Sequence, residues 1–306
     1  MPMPNAPRVA RRGKRCLQIL MFPASACLAC LWCAPRAAAQ SGTITMTAGD
    51  GDAQTSWNTG DRWSDTQAPH GDADYLVDST TGNIALRTPP TMETSTFAGK
   101  SLTLRNNAAV GITLNSNASL NGGPLAIKST AGSKLTINDL RLESRSAQAM
   151  IKYDAASTGM ITLAGNISLV TGTSRILLNT ANLVTFAIES NISGDGGLWL
   201  DNWDGSNTNS LFVLGGANTY TGVTLLTGGT SFANGVTLRL DSDTALGSTS
   251  ALKLDSAAAT LDLNGRAAAA GALTGTFASS LITNHAAATT AALTVATAGA
   301  DTTYAG

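Results

Sequence analysis

From about residue 100 to residue 295 the chain repeats one small device, in which two or three aliphatic residues alternate with single polar ones and a turn follows. The pairs are Leu102/Leu104, Ile112/Leu114, Leu125/Ile127, Leu135/Ile137, Leu140/Leu142, Ile161/Leu163 and Ile167/Leu169. They continue as Val184/Phe186/Ile188, Leu198/Leu200, Leu211/Val213, Val223/Leu225, Val236/Leu238/Leu240, Leu252/Leu254, Leu261/Leu263 and Leu293/Val295. A period of two puts the aliphatics on one face of a strand and the Thr, Ser, Lys, Asp or Arg between them on the other. Asn115-Ser116-Asn117, Asn121-Gly122-Gly123, Gly194-Asp195-Gly196-Gly197 and Gly228-Gly229 stand between strands, where residues tolerant of positive φ make turns. Strand starts about 10 to 14 residues apart define an all-β chain. Two helical candidates, Ser144–Tyr153 and Ala267–Ala270, are too short to outweigh that pattern.

An antiparallel sandwich or barrel and a solenoid both satisfy short strands. A long internal repeat favours the solenoid: Ala217-Asn218-Thr219-Tyr220-Thr221-Gly222 returns as Asp301-Thr302-Thr303-Tyr304-Ala305-Gly306, sharing Thr, Tyr and Gly. Asn, Thr and Ser at recurring positions could hydrogen-bond from coil to coil. The expectation is a right-handed parallel β-helix, a single elongated domain after a leader.

The leader is read from residues 1–39. Arg8, Arg11, Arg12, Lys14 and Arg15 precede an apolar run at positions 16–32, and Ala37-Ala38-Ala39 offers a cleavage site before Gln40 or Ser41. That order is the layout of a secretory signal peptide, so the chain is expected at the cell surface or outside the cell, with outer-membrane association as one form of it. All four cysteines (Cys16, Cys27, Cys30, Cys33) fall in this segment. The mature chain therefore has no disulfide, thiolate metal site or cysteine nucleophile. Beyond Arg36 there are 13 basic and 20 acidic residues, a balance of −7, with the cations scattered singly. Phosphate backbones need a basic stripe, so no nucleic-acid partner is expected.

The stretch Leu211 to Val223-Thr224, through Gly215-Gly216-Ala217-Asn218-Thr219-Tyr220-Thr221-Gly222 and on to Gly228-Gly229-Thr230, resembles the autotransporter-associated β-strand repeat, or passenger-associated transport repeat. Ala245-Leu246-Gly247, Leu261-Asp262-Leu263-Asn264-Gly265, Leu273-Thr274-Gly275 and Ile282-Thr283-Asn284 are similar to that family's inter-repeat segment, and Tyr304-Ala305-Gly306 to the opening of a further copy. Trp57-Asn58-Thr59, Trp63-Ser64 and Pro69 look like the family's N-terminal cap. The resemblance implies an exported passenger acting in surface presentation, adhesion or passenger transport. It makes Gly215, Asn218, Tyr220, Gly222, Gly228, Gly229, Tyr304 and Gly306 structural residues. The divisions expected are a β cap at 40–100, β-helix coils at 101–210 and the repeat region at 211–306, ending mid-repeat. No series of amphipathic barrel strands follows the repeat, so no outer-membrane translocator is expected in this chain, which reads either as a fragment or as a family member that leaves the cell by another route.

A β-helix can also carry polysaccharide chemistry, and a secreted polysaccharide-binding or polysaccharide-degrading protein is the alternative. An adjacent Asp-Asp pair, a Gly-His-Gly and a Gly-x-Ser-x-Gly elbow are absent from the sequence. His70 and His285 have no adjacent orienting carboxylate and read as surface loop residues, so no enzyme, catalytic residue, cofactor or metal centre is expected. Asp50/Asp52, Asp72/Asp74/Asp78, Asp201/Asp204 and Asp241/Asp243 could supply oxygens to calcium but follow no calcium-loop spacing, and read as turn carboxylates. Trp199 and Trp203, among Asp195, Asp201 and Asp204, are the candidates for stacking on a sugar. The favoured alternative is that one caps the coil interior and the other covers a turn. The partner class expected is surface glycan or a host or neighbouring cell surface.

Overall fold

A computed structural model describes residues 42–51, 54–80, 84–91, 94–106, 123–153, 158–178, 183–202, 210–228, 235–249, 251–296 and 303–305. The expected leader at 1–39, Ile112, Leu114, the Asn115–Asn117 turn, Asp52, Trp203, Asp204, Gly229 and Gly306 lie outside the described residues. All regular structure described is strand, and every pairing between named strands is parallel. The fold is a parallel β-solenoid.

Three columns of apolar side chains show how the sequence closes into coils. Ile161, Phe186, Phe212, Leu238, Leu261 and Ile282 stand in direct register on one face. Ile44, Tyr75, Leu102, Leu140, Ile167 and Ile192 form a second column. Leu125, Ile151, Ile176, Leu200, Leu226 and Leu254 form a third, on the eight-stranded sheet. Nearly all are fully buried and join one core cluster. Each such side chain contributes about 1.5–3 kcal/mol on leaving water, and stacking neighbours about 4.8 Å apart makes that burial continuous from turn to turn.

The long strand Gly159–Thr171 runs round a corner, serving the first column through Ile161 and the second through Ile167, and Lys134–Glu143 follows the same bend to reach the second column at Leu140. The register slips between Ile137 and Asp139 at this bend. Gly165 makes the bend possible: its φ is +110°, and a Cβ there would stand 1.8 Å from the Ile137 carbonyl oxygen.

The alternation is out of phase with the structure in two strands. Ser210–Leu214 turns Phe212 and Leu214 inward rather than Leu211 and Val213. The run is apolar at four successive positions, so only stacking on Phe186 and Ile188 selects the phase. Thr224–Gly228 turns Thr224 and Leu226 inward and leaves Val223 and Leu225 half-exposed. A threonine is tolerated inside because its hydroxyl pairs with Tyr220 and Thr249. The two segments considered for helix instead contain the strands Ala149–Tyr153 and Ala267–Ala270. Residues 39–306 form one compact unit, and pairing continues through the expected boundaries at 100/101 and 210/211.

Candidate functional site

Of the residues singled out by the repeat resemblance, Gly215, Asn218, Tyr220 and Gly222 lie at a corner of the coil, between the strands Ser210–Leu214 and Thr224–Gly228. Asn218 is buried, and its amide reaches three levels of the stack. Its Oδ1 accepts from Ile192 N at 2.8 Å, while Nδ2 donates to Gly215 O at 3.0 Å and to Ala245 O at 2.7 Å. Asn191, exposed one turn lower, accepts a single bond from the following turn, from Ala217 N at 2.8 Å. These asparagines thus bond to the backbone of neighbouring turns rather than to each other.

Tyr220 is fully buried, and desolvation pushes its phenol well above the ordinary tyrosine range. Its hydroxyl begins a relay: Tyr220 to Thr224 Oγ1 at 2.8 Å, Thr224 to Thr249 Oγ1 at 3.0 Å, and Thr249 to the Gly222 carbonyl at 2.6 Å. Gly222 admits no side chain, since a Cβ would lie 2.3 Å from the Gly196 carbonyl group. Gly215 is different, its nearest neighbour being 3.6 Å from where a Cβ would sit. Gly228 ends its strand opposite Asn202.

Tyr304 is not the structural counterpart of Tyr220. Backbone bonds from Ser248 N to Tyr220 O and from Gly271 N to Thr249 O trace the corner through successive turns. Tyr304 instead bridges Gly275, past the strand Leu273–Thr274, and donates to Ser280 O at 3.0 Å.

The second set of candidates lies on the outer face of the eight-stranded sheet. Parallel register puts Arg175, Trp199, Leu225 and Lys253 in one outward row, with Asp201 and Thr227 in the next. Trp199 therefore faces outward and does not cap the coil interior. The Arg175 guanidinium carbon stands 4.4 Å from the centroid of its ring, and the indole Nε1 donates to Thr227 Oγ1 at 2.6 Å. Thr227 donates to Asp201 Oδ1 at 2.6 Å, and Arg175 grips Asp201 Oδ2 through Nε at 2.9 Å and through a second nitrogen. Arg175 and Asp201 are both buried, so each charge is compensated where it is desolvated.

Beside this network runs an open groove of about 490 Å³, bordered by Ser144 to Ala147, Gly172, Thr173, Trp199, Val223, Leu225 and Lys253. Arg145 and Lys253 at its margins are exposed. Sequence reading found Trp199 but missed Arg175, Thr227 and Lys253. Their spacing of 24 to 28 positions, one turn each, is the signal that joins them.

The histidines have carboxylates that the sequence reading did not find. His285 Nδ1 lies 3.3 Å from Asp262 Oδ2, and His70 Nε2 lies 3.7 Å from Asp65 Oδ2. Asp262 is a full turn away in sequence, which hid it. Asp65 is only five residues from His70 but across a turn. Several of the described calcium candidates serve as hydrogen-bond acceptors: Asp50 takes Ser56 N, Ser56 Oγ and Arg87 N. Asp78 takes Thr80 N and Arg105, and Asp241 takes Arg239 and Asn264. Among the described residues no group of three or more His, Cys, Asp or Glu is placed to hold a metal ion.

Comparison with protein-family models, with curated proteins and with solved structures finds no match for this chain. The fold and its corner chemistry define a class, the parallel β-solenoids.

Proposed function

We propose that this chain is an exported, non-enzymatic β-solenoid of the autotransporter passenger type, acting in surface presentation, adhesion or passenger transport. The observation that supports it most is the use made of Asn218 and Tyr220. Both direct their polar atoms at neighbouring turns or the corner relay, so the repeat motif serves coil stacking. A chain built this way can cross a membrane unfolded and gain stability turn by turn afterwards.

Fractionation of the native producer with mass spectrometry of the product's N-terminus tests this. Export predicts a product that begins near Gln40 and is found at the cell surface or in the medium. A product that keeps the Met1 region and stays in the cytoplasm overturns it. The alternative, a secreted polysaccharide-binding or polysaccharide-degrading β-helix, is favoured in its binding form by the Trp199 groove. Release of reducing sugar from a glycan by the wild-type chain, lost on His285→Ala, would instead make it an enzyme.

A further inference from the structure

We infer that the groove beside Trp199 is a binding site for an acidic polysaccharide, one that carries uronate or sulfate groups. The inference rests on the surface-adhesion reading above and names the partner class for it.

The floor is apolar and partly exposed. Trp199, Val223 and Leu225 present the indole and two aliphatic side chains, a surface suited to the CH face of a pyranose ring. Arg175 and the bond to Thr227 fix the indole, so little side-chain freedom is lost on binding. Hydroxyls at Ser146 and Thr173 lie along the same groove.

Charge selects the sugar class. Arg145 stands at one margin and Lys253 at the other, in a chain whose mature part is acidic. Arg145 approaches Glu143 at 3.6 Å, but that carboxylate is held more closely by Arg105 at 2.7 Å. Asp201 lies beneath Arg175 and is consumed by it and by Thr227. The charged side chains that border the groove, Arg145 and Lys253, are both cations, and an anionic chain lying along the groove would meet one at each margin.

Calorimetric titration of the full chain with oligogalacturonate, neutral dextrin and poly-glutamate tests the inference. Saturable oligogalacturonate binding is expected, weakening with added salt, with neutral dextrin and poly-glutamate taken up far less. Trp199→Ala should weaken it about tenfold or more. Because that change also strips Arg175 of its aromatic partner, Lys253→Glu is the companion variant: its side chain is exposed, so binding should fall several-fold with the melting temperature unchanged. No saturable binding, equal binding of dextrin or poly-glutamate, or undiminished binding by Lys253→Glu each overturns the inference. Protease treatment of intact cells separates the two readings. A chain digested at the surface that binds no acidic glycan leaves the display function standing and removes the ligand. A chain protected inside the cell removes the display function, while the groove is still judged by titration.

Discussion

The two ends of the described coil use the same ladder but fill it differently. At the N-terminal end four aromatic residues meet: Trp57, Trp63, Tyr75 and Phe97 have ring centroids 4.8 to 6.1 Å apart. Both indole nitrogens are satisfied, Trp63 by Ser56 O and Trp57 by Ser95 Oγ, each at 2.8 Å. The turns that carry these rings span 31 and 27 positions, from Ile44 to Tyr75 and from Tyr75 to Leu102. Toward residue 295 the turns shorten to 23 and then 21 positions, between Leu238, Leu261 and Ile282. The inward residues shrink to Ala268 and Ala270, and Leu281 is 51% exposed. Interlocked rings fill the N-terminal end, whereas alanine and partly buried aliphatic side chains fill the other. Aromatic packing at the N-terminal end also gives the stack a terminal unit unlike its interior, as repeat architectures require.

The strongest way to break this contrast is Trp63→Ala, which should remove about 3–5 kcal/mol by leaving a large cavity and the Ser56 carbonyl unpaired. A melting temperature within a degree of wild type would show that the aromatic end does not hold the stack. Next comes Asn218→Ala in the middle of the coil, expected to cost about 1–3 kcal/mol because Ile192 N and Ala245 O lose a buried partner. Urea midpoints check it, and Asn218→Asp should recover only the bond from Ile192 N. Smaller still is the effect of acid on the N-terminal half. Burial alone would raise the Asp78 carboxyl, but bonds from Thr80 and the Arg105 guanidinium outweigh it and hold it below the ordinary carboxylate range. Asp74 is lowered too, chiefly by its bond from Ser101. A lowered folded pKa means stability that is complete above about pH 4 and lost as the pH falls through the folded value. Asp78→Asn should therefore flatten the acid limb of a melting-temperature profile, by up to about 1 kcal/mol for a partly exposed pair. The least effect belongs to Leu281→Ala, within about 0.5 kcal/mol. Amide exchange should sharpen the same gradient, slow at Tyr75 to Leu104 and fast at Leu281–Thr283.

The strand alternation of this chain was legible in its residues, because single polar residues between aliphatics fix a face. It failed at 211–214, where four successive apolar residues make both phases equivalent until a neighbouring turn chooses, and at 223–226, where hydroxyl partners from the corner let Thr224 take the inward place. The coil was legible as a solenoid but through a misleading pair: Tyr220 and Tyr304 match in sequence and occupy different positions in the turn. The true period is carried by kinds of side chain spaced 21 to 28 positions apart in the later turns, not by identical residues. For the same reason Trp199 could be found alone, whereas its companions Arg175, Thr227 and Lys253 become neighbours only after register is known. The Asp262 partner of His285 was hidden by the same separation.

Asn218 also has a mechanical consequence. Bonds such as those from Ile192 N to Asn218 and from Asn218 to Ala245 O join segments 26 and 27 positions apart. A coil pulled from one end would release about one such turn at a time, lengthening by roughly 90 Å per step at the chain's full extension. At the level of Asn218 the next turn cannot leave until amide bonds to two neighbours break together, so the tether would stall there before yielding.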